Sequence, residues 1–350
     1  VLKNLLSYQD MAFNLEFEYN TMMELGFDFS EGDEFSEESK KVKKFMTKVP
    51  HISIHKLYPN VRMFRMIELF SGTGAFTKAF ENTGKVASIF SNDIYLSSKT
   101  IHDLNFRPTL TLCSTQQLNV PSHHILTAAF PHESFLKNDG IELLLKILEI
   151  VDANQTEMVI LEIETNFLNH KNGDTFSIFK KEMEKRKYYI CCNRLNTYHT
   201  GFPLYRDRFY MVCLKSRQLF DKFDLDFPIV TRMPVSKFME KSVHSRYYYT
   251  DKTKNWESLK NTVVRRDTFY QFKKGQTLPE EMGRKQNKIP MVLDKNGIRK
   301  LTPRECFSIL GFPSTYKLPS TMDSTLYELA GNSASLCVIQ RIADRLMALS

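Results

Sequence analysis

The stretch Arg65–Phe80 (RMIELFSGTGAFTKAF) restricts the fold more than any other part of the chain. Met66–Phe70 is apolar except for Glu68 and stops at Ser71-Gly72, which predicts a short buried strand. Gly72 and Gly74 supply a tight turn. From Ala75 the apolar residues fall three and four apart, which predicts a helix. Two glycines at this spacing also suit an ordinary strand-to-helix turn. A strand, a glycine turn and a helix N-terminus nevertheless make a cradle in which backbone amides can approach a nucleotide-type ligand. Val86–Phe90 predicts a second strand leading to Asp93. An acid roughly 20 residues past the glycines is where a ribose diol is gripped.

Further runs extend the pattern. Thr109–Cys113 reads as a third strand and Met158–Leu161 as a buried strand leading to Glu162. Asn172-Gly173 marks a turn, followed by an amphipathic helix to about Lys187. Strands alternating with helices over 64–130 predict an α/β fold with a parallel, doubly wound sheet. The chain of 350 residues is long enough for one large core and a small second domain. No apolar run approaches the ~20 residues of a membrane helix, and no signal peptide is visible. Cys113, Cys191, Cys192, Cys213, Cys306 and Cys337 form no CxxC pair, so no metal site is expected. They read as reduced thiols of an intracellular protein, cytoplasmic or nuclear.

Charge is unevenly placed. The net charge of +8 suggests an anionic partner. Residues 4–39 hold ten acids and no Lys or Arg, alternating with aromatic and aliphatic residues. This arm reads as solvated or as a segment that docks on a basic surface. Residues 232–300 carry 17 basic and 7 acidic residues. Within them, RYYYTDKTKNWESLKNTVVRRDTFYQFKKG interleaves bases with aromatics, which suits phosphate contact and base stacking. Arg265, Arg266, Lys273 and Lys274 are the candidate nucleic-acid contacts.

FSGTGAF followed by SNDIYLSSKTIHDLNF resembles the first two motifs of the cytosine-C5 DNA methyltransferases. The resemblance extends through ILTAAFPHESF, the Glu162 strand, YHTGFPLYRDRFYMVCL, IRKLTPRECFSILGF and LAGNSASLCVIQRIADRLM, in the family's order. It implies a Rossmann-like, S-adenosylmethionine-dependent methyltransferase fold. The parts would be an acidic arm and linker (1–63), the first part of the catalytic-type domain (64–216), a small basic recognition-like insert (217–297) and a return (298–350). It places the cofactor against Phe70, Gly72, Gly74, Asp93, Ile94, Asn332 and Ser333, the last two at a helix start. It implies that Glu162 meets the target base and that Arg206 and Arg208 hold a base carbonyl and a phosphate. An ion pair of these arginines with Glu162 or Glu164 is the competing reading.

The chain departs from the family at points that bear on chemistry. Pro131-His132-Glu133 stands where the family has Pro-Cys-Gln, whose Cys is the nucleophile. That chemistry needs a thiolate to add to carbon 6 of cytosine and later leave. Imidazole at His132 is a weaker nucleophile for such a ring. Glu162-Ile163-Glu164 lacks the family's loop-bracing Asn, Leu204 replaces a Gln, and no acid follows the third strand. A Thr- and Gly-rich anchor is missing after the insert. The leading expectation is a homologue that has lost catalysis and acts as a nucleic-acid-binding or regulatory subunit, with DNA preferred over RNA. It would work alongside an active methyltransferase or another protein, and would keep a place for S-adenosylmethionine. Two alternatives stay open: an active methyltransferase with a non-standard nucleophile, including a displaced thiolate from Cys113 or Cys192, and a purely structural subunit.

Overall fold

The computed structural model describes residues 63–114, 117–130, 139–154, 156–249, 263–265 and 291–350, with backbone alone at 139, 140 and 263–265. The acidic arm therefore lies outside the described residues. Seven strands form the main sheet: β1 Phe64–Leu69, β2 Val86–Asp93, β3 Thr111–Leu112, β4 Ile125–Ala129, β5 Met158–Ile163, β6 Tyr189–Asn196 and β7 Asp207–Leu214. Their order is β3-β2-β1-β4-β5-β7-β6. Pairing is parallel from β3 through β5, as the strand–helix alternation predicts. β7 then runs antiparallel to both β5 and β6. The link between β6 and β7 is too short for a crossover, so the pair folds back on itself. β6 is not among the strands expected from the sequence; it is an edge strand, mostly half-exposed, and its short apolar start (YICC) gives way to polar residues. The predicted third strand shrinks to two exposed residues.

β5 (MVILEI) is buried at all six positions, as expected of a strand covered on both faces. Alternation along the strands sorts side chains into two cores. Met66, Ile125, Ile160, Tyr210 and Val212 face one, with helices α1 (Ala75–Glu81), α5 (Pro303–Ile309), α6 (Asp323–Asn332) and α7 (Leu336–Leu349). Ile67, Leu126, Val159, Leu161 and Met211 face the other, with α3 (Asp139–Asn154) and α4 (Asp174–Lys185). Helix α2 (Leu96–Asp103) follows β2. α7 buries Leu336, Ile339, Ile342, Ala343 and Leu346, the predicted stripe, and Gln340 donates to the Ala79 carbonyl at 3.1 Å, tying α7 to α1.

Thr302 caps α5 with a full capping box to Glu305, and Pro303 opens the helix, as its sequence predicts. Asn332 and Ser333 do not begin a helix, contrary to expectation. Asn332 ends α6, Ser333 is extended, and α7 starts at Leu336. Buried hydroxyls hold this break: Ser333 meets Thr73 at 2.6 Å and Ser335 accepts from Thr197 at 2.7 Å. A separate three-stranded sheet, in the order β10-β9-β8, comprises β8 Val263–Arg265, β9 Met291–Asp294 and β10 Gly297–Lys300. Among the described residues, no helix is long and apolar enough to cross a membrane.

Candidate active site and cofactor cradle

The strand order reverses at β1, which lies between β2 and β4. Ligands of open α/β sheets bind in the crevice at such a point, beyond the carboxyl ends of the strands. The glycine turn closes that end of β1. Phe70 (φ 54°), Gly72 (φ 53°) and Gly74 (φ 72°) all occupy the left-handed region, which a phenylalanine rarely adopts. The turn is held from three sides. Asp93 accepts from the Gly72 amide at 2.9 Å, the Tyr316 hydroxyl donates to the Thr73 carbonyl at 2.6 Å, and the Thr73 hydroxyl meets Ser333.

Asp93 is more constrained than its place at a strand tip suggests. Its other oxygen accepts from the Ile94 and Tyr95 amides at 2.7 and 3.0 Å, and the Ser98 side chain also hydrogen-bonds the carboxylate. Burial raises its pKa, and the amide donors oppose the shift. Beneath the turn, Glu68 accepts from the Phe76 and Thr77 amides at 3.2 and 3.0 Å, a carboxylate at the N-terminus of α1. Burial still pushes it up to about 7. Sequence reading saw Glu68 only as a lone acid in an apolar strand. Ile94 is 58% exposed beside Asp93.

A second cluster forms where β5 meets β7. Register places Glu162 opposite Tyr210. The Tyr210 hydroxyl donates to Glu162 Oε2 at 2.7 Å. Arg208 Nε lies 3.6 Å from Glu162 Oε1, and its Nη2 lies 2.8 Å from Glu164 Oε1. Arg208 Nη1 donates to the Asp207 carbonyl at 2.9 Å. Arg206 is buried and donates from Nη1 to the Gly331 carbonyl at 3.0 Å, near the C-terminal end of α6 where a cation is favoured. Burial, then the charge of Arg208, lowers its pKa to about 10. Its Nε has no hydrogen-bond partner among the described residues. Both ion pairs weighed from the sequence thus form at Arg208. Tyr210 was missed there, although positions 206, 208 and 210 alternate onto one face.

The remaining predicted residues are placed as follows. Phe70, Gly72, Gly74, Asp93, Ile94 and Ser333 converge on the cradle, while Asn332 is exposed at the end of α6. His132 lies outside the described residues, as do Arg266, Lys273 and Lys274. Arg265 lies in β8, where the backbone alone is described. The chain enters 131–138 from Phe130, whose amide donates to the Glu162 carbonyl at 3.0 Å. Cys113 flanks β3, four strand spacings or roughly 19 Å from β5, so it does not serve the Glu162 cluster. The Cys192 thiol is raised by burial, which disfavours a thiolate.

A switch-point cradle and a carboxylate–arginine cluster at the carboxyl ends of the central strands of a seven-stranded α/β sheet are features of a Rossmann-like methyltransferase fold. The chain belongs to the C-5 cytosine-specific DNA methylase family, whose model matches residues 64–348. That family uses S-adenosylmethionine as its methyl donor. The chain is 29% identical over 310 residues to the type II methyltransferase M.Bsp6I of Bacillus sp. (strain RFL6), covering 81% of this chain and 98% of that protein. It is 28% identical over 311 residues to M.HhaI of Haemophilus parahaemolyticus, covering 80% and 93%. Among solved structures, the Entamoeba histolytica methyltransferase EhMeth shares the fold with a TM-score of 0.70 at 16% identity, covering 82% of this chain and 98% of that one. The S. pombe Dnmt2 methyltransferase does so with a TM-score of 0.68 at 16% identity, covering 82% and 99%.

Proposed function

We propose that this chain is a nucleic-acid-binding member of the family that has lost methyl transfer and acts as a DNA-binding or regulatory subunit beside an active methyltransferase. The observation that carries this reading is the Pro131-His132-Glu133 triplet where the family has Pro-Cys-Gln. Imidazole does not match a thiolate as a nucleophile for carbon 6, and it is partly protonated near neutral pH. Glu133 adds a carboxylate where a flipped base and its phosphates would approach. Cys213, Cys306 and Cys337 are buried thiols whose pKa burial raises, and Cys113 lies four strands from β5. The basic, aromatic-rich segment 232–300 supports polyanion binding, with Arg265, Arg266, Lys273 and Lys274 as phosphate contacts.

The decisive assay follows methyl transfer from labelled S-adenosylmethionine to mixed DNA and RNA. No incorporation above background is expected, with wild type and His132→Ala alike. Turnover that disappears in His132→Ala would establish the rival reading, an active enzyme with an unusual nucleophile.

The cradle's residues fit S-adenosylmethionine, which in the family supplies the methyl group. Among the described residues, a side chain at Gly72 would meet only the Phe70 carbonyl at 4.0 Å, which leaves room for a ligand on that face of the turn. Asp93 stands at the tip of β2 beside the glycine turn, where a ribose hydroxyl would meet its carboxylate, and exposed Ile94 offers an apolar face to adenine. Calorimetric titration with S-adenosylmethionine should show binding by wild type. Asp93→Ala removes both the ribose acceptor and the brace on Gly72, and should weaken binding by roughly 100-fold, about two hydrogen bonds to a charged group. Equal affinity in the two proteins would remove Asp93 from the cofactor site.

A further inference from the structure

Arg208 is the one cation of the β5–β7 cluster that is not sealed beneath the surface, since Arg206 is fully buried and turned toward α6. All three nitrogens of its guanidinium already face acceptors of the chain. The Asp207 carbonyl takes Nη1, Glu162 lies at the longer ion-pair distance from Nε, and Glu164 holds Nη2 at 2.8 Å. The Arg208 and Glu164 side chains are only 12% and 15% exposed, so solvent screens their attraction weakly. Glu162 is itself committed to the Tyr210 hydroxyl through its other oxygen. Glu164 is therefore the charged group whose hold on Arg208 is tightest, and it stands at the open end of β5, where residues 165–173 begin a turn.

We propose that Glu164 is an internal competitor for Arg208, a carboxylate that occupies the guanidinium a nucleotide's phosphate or base carbonyl would otherwise engage. It sets the affinity of this pocket for nucleic acid and rests on the nucleic-acid reading above. A nucleotide oxygen can reach Arg208 only by displacing an ion pair held at 2.8 Å in weakly screened surroundings, so little is gained by entry. The guanidinium is kept engaged by its own charge pair. Nucleic acid held by the basic segment would then bind without committing a base to Glu162.

The test uses the full chain and a mixed-sequence DNA duplex, titrated over a salt series. Glu164→Ala should bind roughly tenfold tighter than wild type, with a salt slope steeper by about one ion. Glu164→Gln keeps a neutral acceptor and should show a smaller gain. Removing any negative charge near DNA helps binding, so the double variant Glu164→Ala/Arg208→Ala is the control. It should lose the gain. An arginine-specific dicarbonyl, with the modified residue located by mass spectrometry, reads the clamp without DNA: labelling of Arg208 should rise in Glu164→Ala. A gain that survives in the double variant, or unchanged labelling, overturns the proposal. Increased labelling with no DNA binding by any of the proteins upholds the clamp and removes the nucleic-acid reading instead.

Discussion

Glu305→Ala should lower the stability of the chain by about 3–5 kcal/mol, the cost of stripping a buried charge of its partner. Glu305 and Arg299 are both fully buried. The guanidinium donates to the two carboxylate oxygens from Nη1 and Nη2, each at 2.7 Å, and its Nε donates to Asp294 at 2.8 Å. The same carboxylate accepts from the Thr302 amide at 2.8 Å and the Glu240 amide at 2.9 Å. One side chain thus satisfies four donors, caps α5 and ties β10 to the segment before it. Burial works against the charge on Arg299, but the hydrogen bonds and charges of Glu305 and Asp294 overcome it, so the guanidinium is held charged. Alanine at 305 leaves those donors without an acceptor. Urea unfolding of the two proteins measures the difference. Replacing the pair with apolar residues of similar volume should recover only the part due to the stranded guanidinium, because the Thr302 and Glu240 amides would still lack their acceptor. A loss below about 1 kcal/mol for Glu305→Ala would show that water reaches this network.

Gly74→Ala should cost about 2–5 kcal/mol and abolish S-adenosylmethionine binding together. The position has φ 72°, which costs an alanine about 1–2 kcal/mol before any contact is counted. A Cβ there would also lie 2.3 Å from Phe106 Cε2 and 2.8 Å from Cδ2. The ring cannot swing away cheaply, because it packs against His102 at 5.0 Å and Tyr316 at 6.2 Å between centroids. Tyr316 in turn holds the Thr73 carbonyl, so moving Phe106 disturbs the glycine turn itself. Overpacking of this kind adds about 1–3 kcal/mol. Gly84 supplies the comparison, with φ 69° and nothing within 4 Å of the added carbon. Gly84→Ala should show the backbone cost alone, about 1–2 kcal/mol, with cofactor binding intact. Thermal unfolding and calorimetry on both variants separate the two contributions. Equal losses would mean that Phe106 yields freely.

Much of the cofactor side was legible in the residues. The strand, the glycine turn and α1 follow from local spacing, as does the capping box at Thr302, and the structure keeps each where its pattern put it. The order of motifs was enough to assign the family. The break at Ser333 was not legible, because a helical stripe runs on from Leu336 and nothing nearby marks where it starts. That start is set by two hydroxyl contacts with Thr73 and Thr197, 260 and 138 residues away in sequence. β6 went unread for a related reason: its short apolar start gives way to polar residues, and this edge strand owes its pairing to β7.

The amino-acid sequence alone determined the family, the switch-point cradle and the missing thiol at position 132, because each is a matter of residue type and short-range spacing. Only the tertiary structure decided which charges meet. Arg208 lies between Glu162 and Glu164, Arg206 is turned to Gly331, and Arg299 is enclosed by Asp294 and Glu305. Ion pairs depend on distance and burial, and in the β5–β7 cluster both are set by pairing strands from distant parts of the chain.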